Sequence, residues 1–287
     1  GDDKIRAKWW ELYNDPQLNA LEEQVSISNQ TIAAAEANFR AARALVVSGR
    51  SALFPTLSAV PGYTNSRTSA TARSSRAPVT NVLNTFSMPL DLSYTVDFWH
   101  RIRNTIAANA YAAQASAADV ATALLSTQAE LATTYLQLRA VDTQRRILTE
   151  TLENYRQALD LTTTLYKTGI NSEQEVVQAR TQLNVATSQT TDLGVARAQF
   201  EHAIATLIGK RASNFTLSAA PFAVNPPTVP VAVPSVLLER RPDIAALERE
   251  VAAANALIGV ARAAYYPNLT LRASAGFQTS DFTQWFN

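Results

Sequence analysis

The 287-residue chain has no cysteine, which excludes disulfides, thiolate metal sites and cysteine nucleophiles, and any lipid carried on a cysteine within these residues. It has two histidines, His100 and His202, about a hundred residues apart. A His-rich metal site or a Ser-His-Asp triad would have to rely on one of them alone. Neither charge dominates, since 25 Lys and Arg stand against 24 Asp and Glu, so the global cationic field that attracts nucleic acid is missing. No run of 18 apolar residues occurs, so no helix of the membrane-spanning kind is expected. The eight glycines form neither a GxGxxG nor a Walker pattern. No signal peptide opens the chain; Gly1-Asp2-Asp3-Lys4 is polar and reads as a mature or trimmed start. What is present is 47% apolar residues over about twice a typical domain length, enough to bury a core.

Proline is absent between Pro89 and Pro221, and residues 98–168 contain neither proline nor glycine. That stretch is rich in Ala, Leu, Gln, Arg and Glu, all good helix formers. As one helix it would be about 106 Å long, far beyond the globular average, which points to a coiled coil or long bundle. Ile106, Ala113, Val120, Val141, Leu148 and Tyr155 form one heptad column. Ala110, Ala117, Leu124, Leu131, Leu138, Leu152 and Leu159 form the other, with breaks at Thr127, Thr134 and Arg145. Small residues on several flanks (Ala107, Ala108, Ala112, Ala118, Ala121) favour a helix packed on two sides over a simple two-helix hairpin.

The helix stops at Lys167-Thr168-Gly169, where a cation and a glycine suit a C-terminus. Ser172 reads as the next N-cap, with Glu173 and Glu175 in the first turn. The second helix runs to about Ile208, past a weak point at Gly194, so 98–208 forms an antiparallel hairpin with a tight tip. Pro221, Pro226, Pro227, Pro230 and Pro234 then mark an extended linker.

Residues 29–57 match residues 241–269 at an offset of 212, with 12 of 29 positions identical. The Phe54-Pro55-Thr56-Leu57 and Tyr266-Pro267-Asn268-Leu269 pair fixes the same helix-to-strand transition twice. A repeat predicts a duplicated architecture. The second copy stops at Asn287, so the expectation is of an incomplete repeat that lacks a second hairpin.

After each proline the period changes to two. Leu57, Ala59 and Tyr63 alternate with Thr56, Ser58, Thr64 and Ser66. Phe86, Met88, Leu90, Leu92, Tyr94 and Val96 share one face, against Asp91, Ser93, Thr95 and Asp97 on the other. Leu269, Leu271, Ala273, Ala275 and Phe277 repeat the theme. Runs of about 10–13 residues suit a tilted strand crossing a bilayer. By pattern alone, a sheet packed on a soluble core is the commoner case. The direct junction with a helix about 100 Å long favours the membrane reading, because little sequence remains to build a covering core. Ser66–Val82, rich in Ser, Thr, Arg and Asn, reads as a solvent loop; its Arg67, Arg73 and Arg76 would be solvated, or would touch anionic lipid.

Four motifs in order carry a resemblance. They are Trp9-Trp10-Glu-Leu-Tyr-Asn-Asp15-Pro16-Gln-Leu18, Ser93-Tyr94-Thr-Val-Asp97-Phe98-Trp99-His100-Arg101-Ile-Arg103, Tyr166-Lys-Thr-Gly169-Ile-Asn-Ser172 with Val176-Val177, and Leu237-Leu238-Glu239-Arg240-Arg241-Pro242-Asp243-Ile244. Together they make the chain similar to TolC-type outer-membrane efflux factors, in the lipoprotein branch that serves tripartite drug exporters. His100 stands where that family often has glycine. The resemblance implies a fold that is mainly α with transmembrane β: a long helical hairpin joined to barrel strands, duplicated, with the second copy incomplete. The expected segments are 1–52 (N-terminal segment and helices of the first repeat), 53–97 (barrel β-hairpin with a long loop at 67–83), 98–209 (tunnel hairpin), 210–236 (linker), 237–265 (helix of the second repeat) and 266–287 (third strand).

The resemblance further implies a homotrimer in the outer membrane that reaches into the periplasm, with its apolar strand face on lipid and its polar face on the pore. A periplasmic adaptor would dock at the tip, Thr168, Gly169, Ile170, Asn171 and Ser172, and an inner-membrane pump would act through the adaptor. No catalytic, cofactor-binding or metal-binding residues are expected. Asp91 and Asp97 lie roughly 20 Å apart along a strand, too far for an acid–base pair. The competing reading is a soluble periplasmic coiled-coil adaptor or scaffold; the Gly-rich β-domain that usually flanks an adaptor's hairpin is not seen. For the tip, the plainer alternative is a helix turn chosen for geometry alone.

Overall fold

The computed structural model describes residues 8–67, 82–222 and 241–281. A 3-10 turn at Trp9–Tyr13 leads into helices α1 (Pro16–Ser28) and α2 (Gln30–Ser51). Asp15 starts α1: its side chain accepts hydrogen bonds from the Gln17 and Leu18 amides, and Pro16 takes the first helical position. Strands β1 (Thr56–Ala59), β2 (Gly62–Arg67) and β3 (Val82–Val96) follow. Then come α3 (Arg101–Lys167), α4 (Glu173–Leu207), a 3-10 turn at Ala212–Asn214, α5 (Pro242–Ala263) and β4 (Leu269–Thr279).

Helix α3 runs 67 residues without a break, as its freedom from glycine and proline predicts. Helix α4 passes through Gly194 unbroken. The buried stripe of α3 departs from the strict heptad. Leu131 and Leu138 are fully buried, and between them Tyr135, not Thr134, enters the core. Thr127, one of the expected breaks, is buried with its hydroxyl bonded to the Ala123 carbonyl at 2.8 Å, so its own helix satisfies it.

All the strand pairings are antiparallel. β1 and β2 lie along one edge of β3, and β4 lies along the other. Thr56 faces Ser93 and Arg67 faces Val82, so β1 and β2 keep one register. They amount to a single strand whose ladder lapses at Val60–Pro61. The proline supplies no amide there, and Pro89 on β3 leaves a second amide missing at the same level. The expected loop at 67–83 is shorter at both ends, because Ser66 pairs with Leu83 and Arg67 with Val82. Its interior, including Arg73 and Arg76, lies outside the described residues, as do the linker from 223 and the motif at 237–240.

The repeat recurs in hydrogen bonds. After α2, the amides of Ala52, Leu53 and Phe54 donate to the carbonyls of Gly49, Arg50 and Ser51; after α5, those of Ala264, Tyr265 and Tyr266 donate to Ala261, Arg262 and Ala263. These are the same turns at the 212-residue offset, and each feeds a strand onto an opposite edge of β3.

The chain divides into two compact units. One comprises residues 1–38 and 117–244, the other 39–116 and 245–287. The core of the first gathers Trp10, Leu18, Leu21, Val25, Ile32, Leu131, Tyr135, Leu138, Ile204, Ile208 and Leu217. In the second, the start of α3 is flanked by two helices. Asn109 reaches the Leu45 carbonyl of α2, and Arg249 of α5 lies over the Tyr111 ring at 5.9 Å. This is the two-sided packing that its small residues favour.

Candidate functional site

Two places merit description as sites: the sheet faces and the hairpin tip. Partners directly opposite in an antiparallel pair point the same way. Leu57 pairs with Leu92, Ala59 with Leu90 and Tyr63 with Phe86 on one edge of β3. Met88 pairs with Phe277, Leu90 with Ala275, Leu92 with Ala273, Tyr94 with Leu271 and Val96 with Leu269 on the other. The six expected residues of β3 therefore lie in one apolar face, three lanes wide. Leu92 is 41% exposed, Leu57 70% and Phe277 70%. Past Tyr63 the same face turns polar: Asn65 donates to the Asn84 side-chain oxygen at 2.7 Å, and the Tyr63 hydroxyl meets that atom at 3.0 Å.

The opposite face carries Asp91 beside Ser58 and Ser274, Ser93 beside Thr56 and Arg272, and Thr95 beside Thr270. Asp97 departs from the expected set. It lies one residue beyond β3, and its two carboxylate oxygens accept from the amides of Ile102 at 2.9 Å and Arg103 at 3.0 Å. A carboxylate on those free amides is a helix cap stabilised by the helix dipole, so Asp97 starts α3. His100, in the same junction, adopts the left-handed conformation with φ 60. That explains why a glycine would be at ease there. Trp99 stacks on Tyr266 at 4.4 Å and donates its indole N–H to the Pro267 carbonyl at 3.1 Å. His202 is exposed on α4.

At the tip, Gly169 has φ +79. Its amide donates to the Tyr166 carbonyl at 2.9 Å, and the Ile170 amide donates to the Leu165 carbonyl at 2.9 Å. This pair of bonds is the Schellman closure, which needs a residue at positive φ. The Thr168 hydroxyl donates to the Leu165 carbonyl at 2.9 Å, and the Ser172 amide to the Glu175 carboxylate at 3.1 Å. Asn171 lines a shallow groove between the helices with Tyr155, Thr162, Glu175 and Gln178. Thr168, Gly169 and Ser172 are thus occupied with closing the turn. Ile170 projects an apolar side chain that is 71% exposed.

Sequence reasoning missed a buried ionic cluster in the first unit. Asp142 accepts from Arg139 at 3.2 Å and from Arg197 at 2.7 Å, and Arg197 also meets Glu201 at 3.0 Å. The two arginines donate as well to the carbonyls of Ser218 and Leu217, and Arg139 to the Gln17 side chain. Residues 217–222 are thereby pinned to the hairpin. Tyr135 donates its hydroxyl to Asp15 at 2.6 Å; burial first, then that bond, pushes its pKa up to about 12. Glu22 is fully buried with no partner for either carboxyl oxygen among the described residues, and burial pushes its pKa up to about 8. Among the described residues, no cluster of His, Cys, Asp or Glu could hold a metal, and no helix is long and apolar enough to cross a membrane.

Amphipathic strands running straight into a helix of 67 residues define the channel class in which a barrel continues into a helical tunnel. The chain belongs to the outer membrane efflux protein family, whose profile matches residues 21–210 and 233–287. It is 34% identical over 274 residues to the pyoverdine export outer membrane protein OpmQ of Pseudomonas aeruginosa, covering 93% of this chain and 57% of that protein. It is 31% identical to the solvent efflux pump outer membrane protein SrpC of Pseudomonas putida, covering 96% of this chain and 59% of that one. Among solved structures, the outer-membrane channel OprN matches with TM-score 0.85 at 30% identity, covering 96% of this chain and 62% of that chain. The Campylobacter jejuni CmeC outer membrane channel matches with TM-score 0.89 at 26% identity, covering 96% and 59%. The chain therefore spans less than two thirds of the length of these relatives, which are channel proteins and outer membrane components of pumps. Its own place is the outer membrane and the periplasm beneath it.

Proposed function

We propose that this chain forms part of a passive exit duct for small molecules across the outer membrane. The observation that carries the reading is the apolar face of β3 with its partners on both edges, on which Met88, Leu90, Leu92, Leu57, Leu271 and Phe277 are exposed and Phe86, Tyr94 and Val96 half-buried. From Val96 to Phe86 it extends ten residue steps, roughly 34 Å along the strand. Tilted as barrel strands are, it gives a band roughly 26 Å high, matching an outer-membrane hydrocarbon layer. The aromatic pairs Trp99–Tyr266 and Tyr63–Phe86 bracket that band, as interfacial aromatics do. Asp91, Ser93 and Thr95 then face the water-filled lumen. The duct does no chemistry. An inner-membrane pump supplies the energy through a periplasmic adaptor that docks at the tip, where Ile170 is the free apolar anchor, and three copies close the barrel. The export of pyoverdine and of solvents named for the relatives fits small-molecule cargo.

Residues 1–287 hold no cysteine, so single cysteines report cleanly. In membranes, Ser93→Cys should react with a charged, water-soluble thiol reagent and lose efflux on reaction. Leu92→Cys should react only with a lipid-soluble reagent. Equal labelling of both by the water-soluble reagent would overturn the assignment of the faces.

A further inference from the structure

On the polar face of the described strands, the side chains are almost all hydroxyls and amides, with glycine and proline between them. Two carry charge. Register places Asp91 opposite Ser274 and Arg272 opposite Ser93, so the carboxylate and the guanidinium sit on the diagonal of one cross-strand square. Such diagonal neighbours are about 7–8 Å apart at the backbone, within reach of long side chains. Asp91, Ser93, Arg272 and Ser274, with Leu92 and Ala273 between them, line one shallow depression of the sheet. Among the described residues no ion pair or hydrogen bond ties up either charged side chain, and both residues are exposed. Both charges lie midway along the apolar band carried by the other face.

We infer that Asp91 and Arg272 form a charge filter on the lumen wall that acts on ionised solutes, Arg272 drawing anionic groups and Asp91 cationic ones. The inference rests on the duct reading above. An uncommitted charge in a narrow aqueous passage sets the local concentration of its counter-ion, and low-dielectric walls focus its field. The adjoining serine hydroxyls can serve either sign, since a hydroxyl both donates and accepts. A balanced pair admits ions of both signs, and removing one member should tip the balance toward the other.

The probe is a potassium chloride gradient across a planar bilayer holding the purified channel. Arg272→Gln should lower the chloride-to-potassium permeability ratio about twofold, and Asp91→Asn should raise it about twofold, the size expected of one charge acting through water at about 10 Å. Arg272→Lys, which keeps the charge, should leave the ratio in place. Conductance with an unchanged ratio in both charge-removing variants would overturn the filter and leave the duct intact. A wild-type protein that inserts but conducts nothing would overturn the duct, and the filter with it.

Discussion

In the unit built from residues 1–38 and 117–244, groups that lose water mostly find one another. Tyr135 meets Asp15, and the cluster of Arg139, Asp142, Arg197 and Glu201 balances two positive charges with two negative ones. In the unit built from 39–116 and 245–287, the strands leave an apolar face bare: Leu57, Leu90, Leu92, Leu271 and Phe277 remain exposed. The first unit pairs these buried charges within its own chain, while Trp9, Trp10, Asn19, Glu22, Gln24 and Arg145 keep buried polar atoms that meet no partner among the described residues. The second exposes a surface that gains stability only against something apolar, which in the proposed duct is lipid. The same chain thus holds one region whose buried charges are paired and one whose strands leave an apolar face bare.

The largest expected effect breaks the charge pairing of the first unit. Asp142→Ala would leave Arg139 facing no carboxylate, although only 4% of its side chain reaches solvent. Unpairing a buried charge costs about 3–5 kcal/mol, to be read as a fall in the unfolding transition of the helical part.

Glu22 sharpens the comparison from the other side, as a buried carboxyl to which that unit offers no partner among the described residues. Its folded pKa of about 8 lies above its ordinary 4.5, so the folded state holds the proton more tightly. Its contribution is neutral below pH 4.5. As pH rises from there to about 8, stability should fall by roughly 1.4 kcal/mol per unit, then level off. Glu22→Gln should remove that slope, which thermal unfolding at pH 5 and pH 8 would read.

Two glycines close the hairpin's helices at opposite ends, with different expected costs. A Cβ at Gly209, φ +68, would stand 2.6 Å from the Ser28 carbonyl oxygen, whereas one at Gly169 meets nothing within 4 Å. Gly209→Ala should cost about 2 kcal/mol or more, from strain plus collision. Gly169→Ala should cost about 1 kcal/mol, from strain alone. Comparing their melting shifts separates packing from conformation.

The smallest effect on stability concerns Ile170. Exposed as it is, Ile170→Glu should change stability by less than about 0.5 kcal/mol. Efflux should nonetheless disappear while trimers persist in the membrane, if the tip docks an adaptor. Normal efflux would leave the tip as a plain turn.

Much of this was legible in the sequence because it rests on local rules. Absence of glycine and proline made α3, period-two alternation sorted the strand faces, and Lys167-Thr168-Gly169 announced the tip. What escaped depends on distance along the chain. Asp142 and Arg197 are 55 residues apart, and nothing in either segment marks them as partners. Glu22 looks like any helix-surface acid until the packing of its helix buries it. Asp97 follows the alternation of β3, so period alone placed it on the strand, although it belongs to the helix it caps. Val60 and Pro61 keep the strand's parity, so the break in the ladder left no trace in the pattern. The charged square of Asp91 and Arg272 needed the β3–β4 register, which no single strand contains.

The central claim is that the two faces of β3 meet different solvents, and adjacent residues test it most directly. Compare Leu92→Arg with Ser93→Arg for assembly into lipid vesicles and resistance to unfolding there. The account predicts that Leu92→Arg loses about 2–4 kcal/mol, as arginine does at mid-bilayer, while Ser93→Arg assembles nearly as the parent does. Equal tolerance of both, or a greater loss at Ser93, would show that the apolar face does not meet lipid.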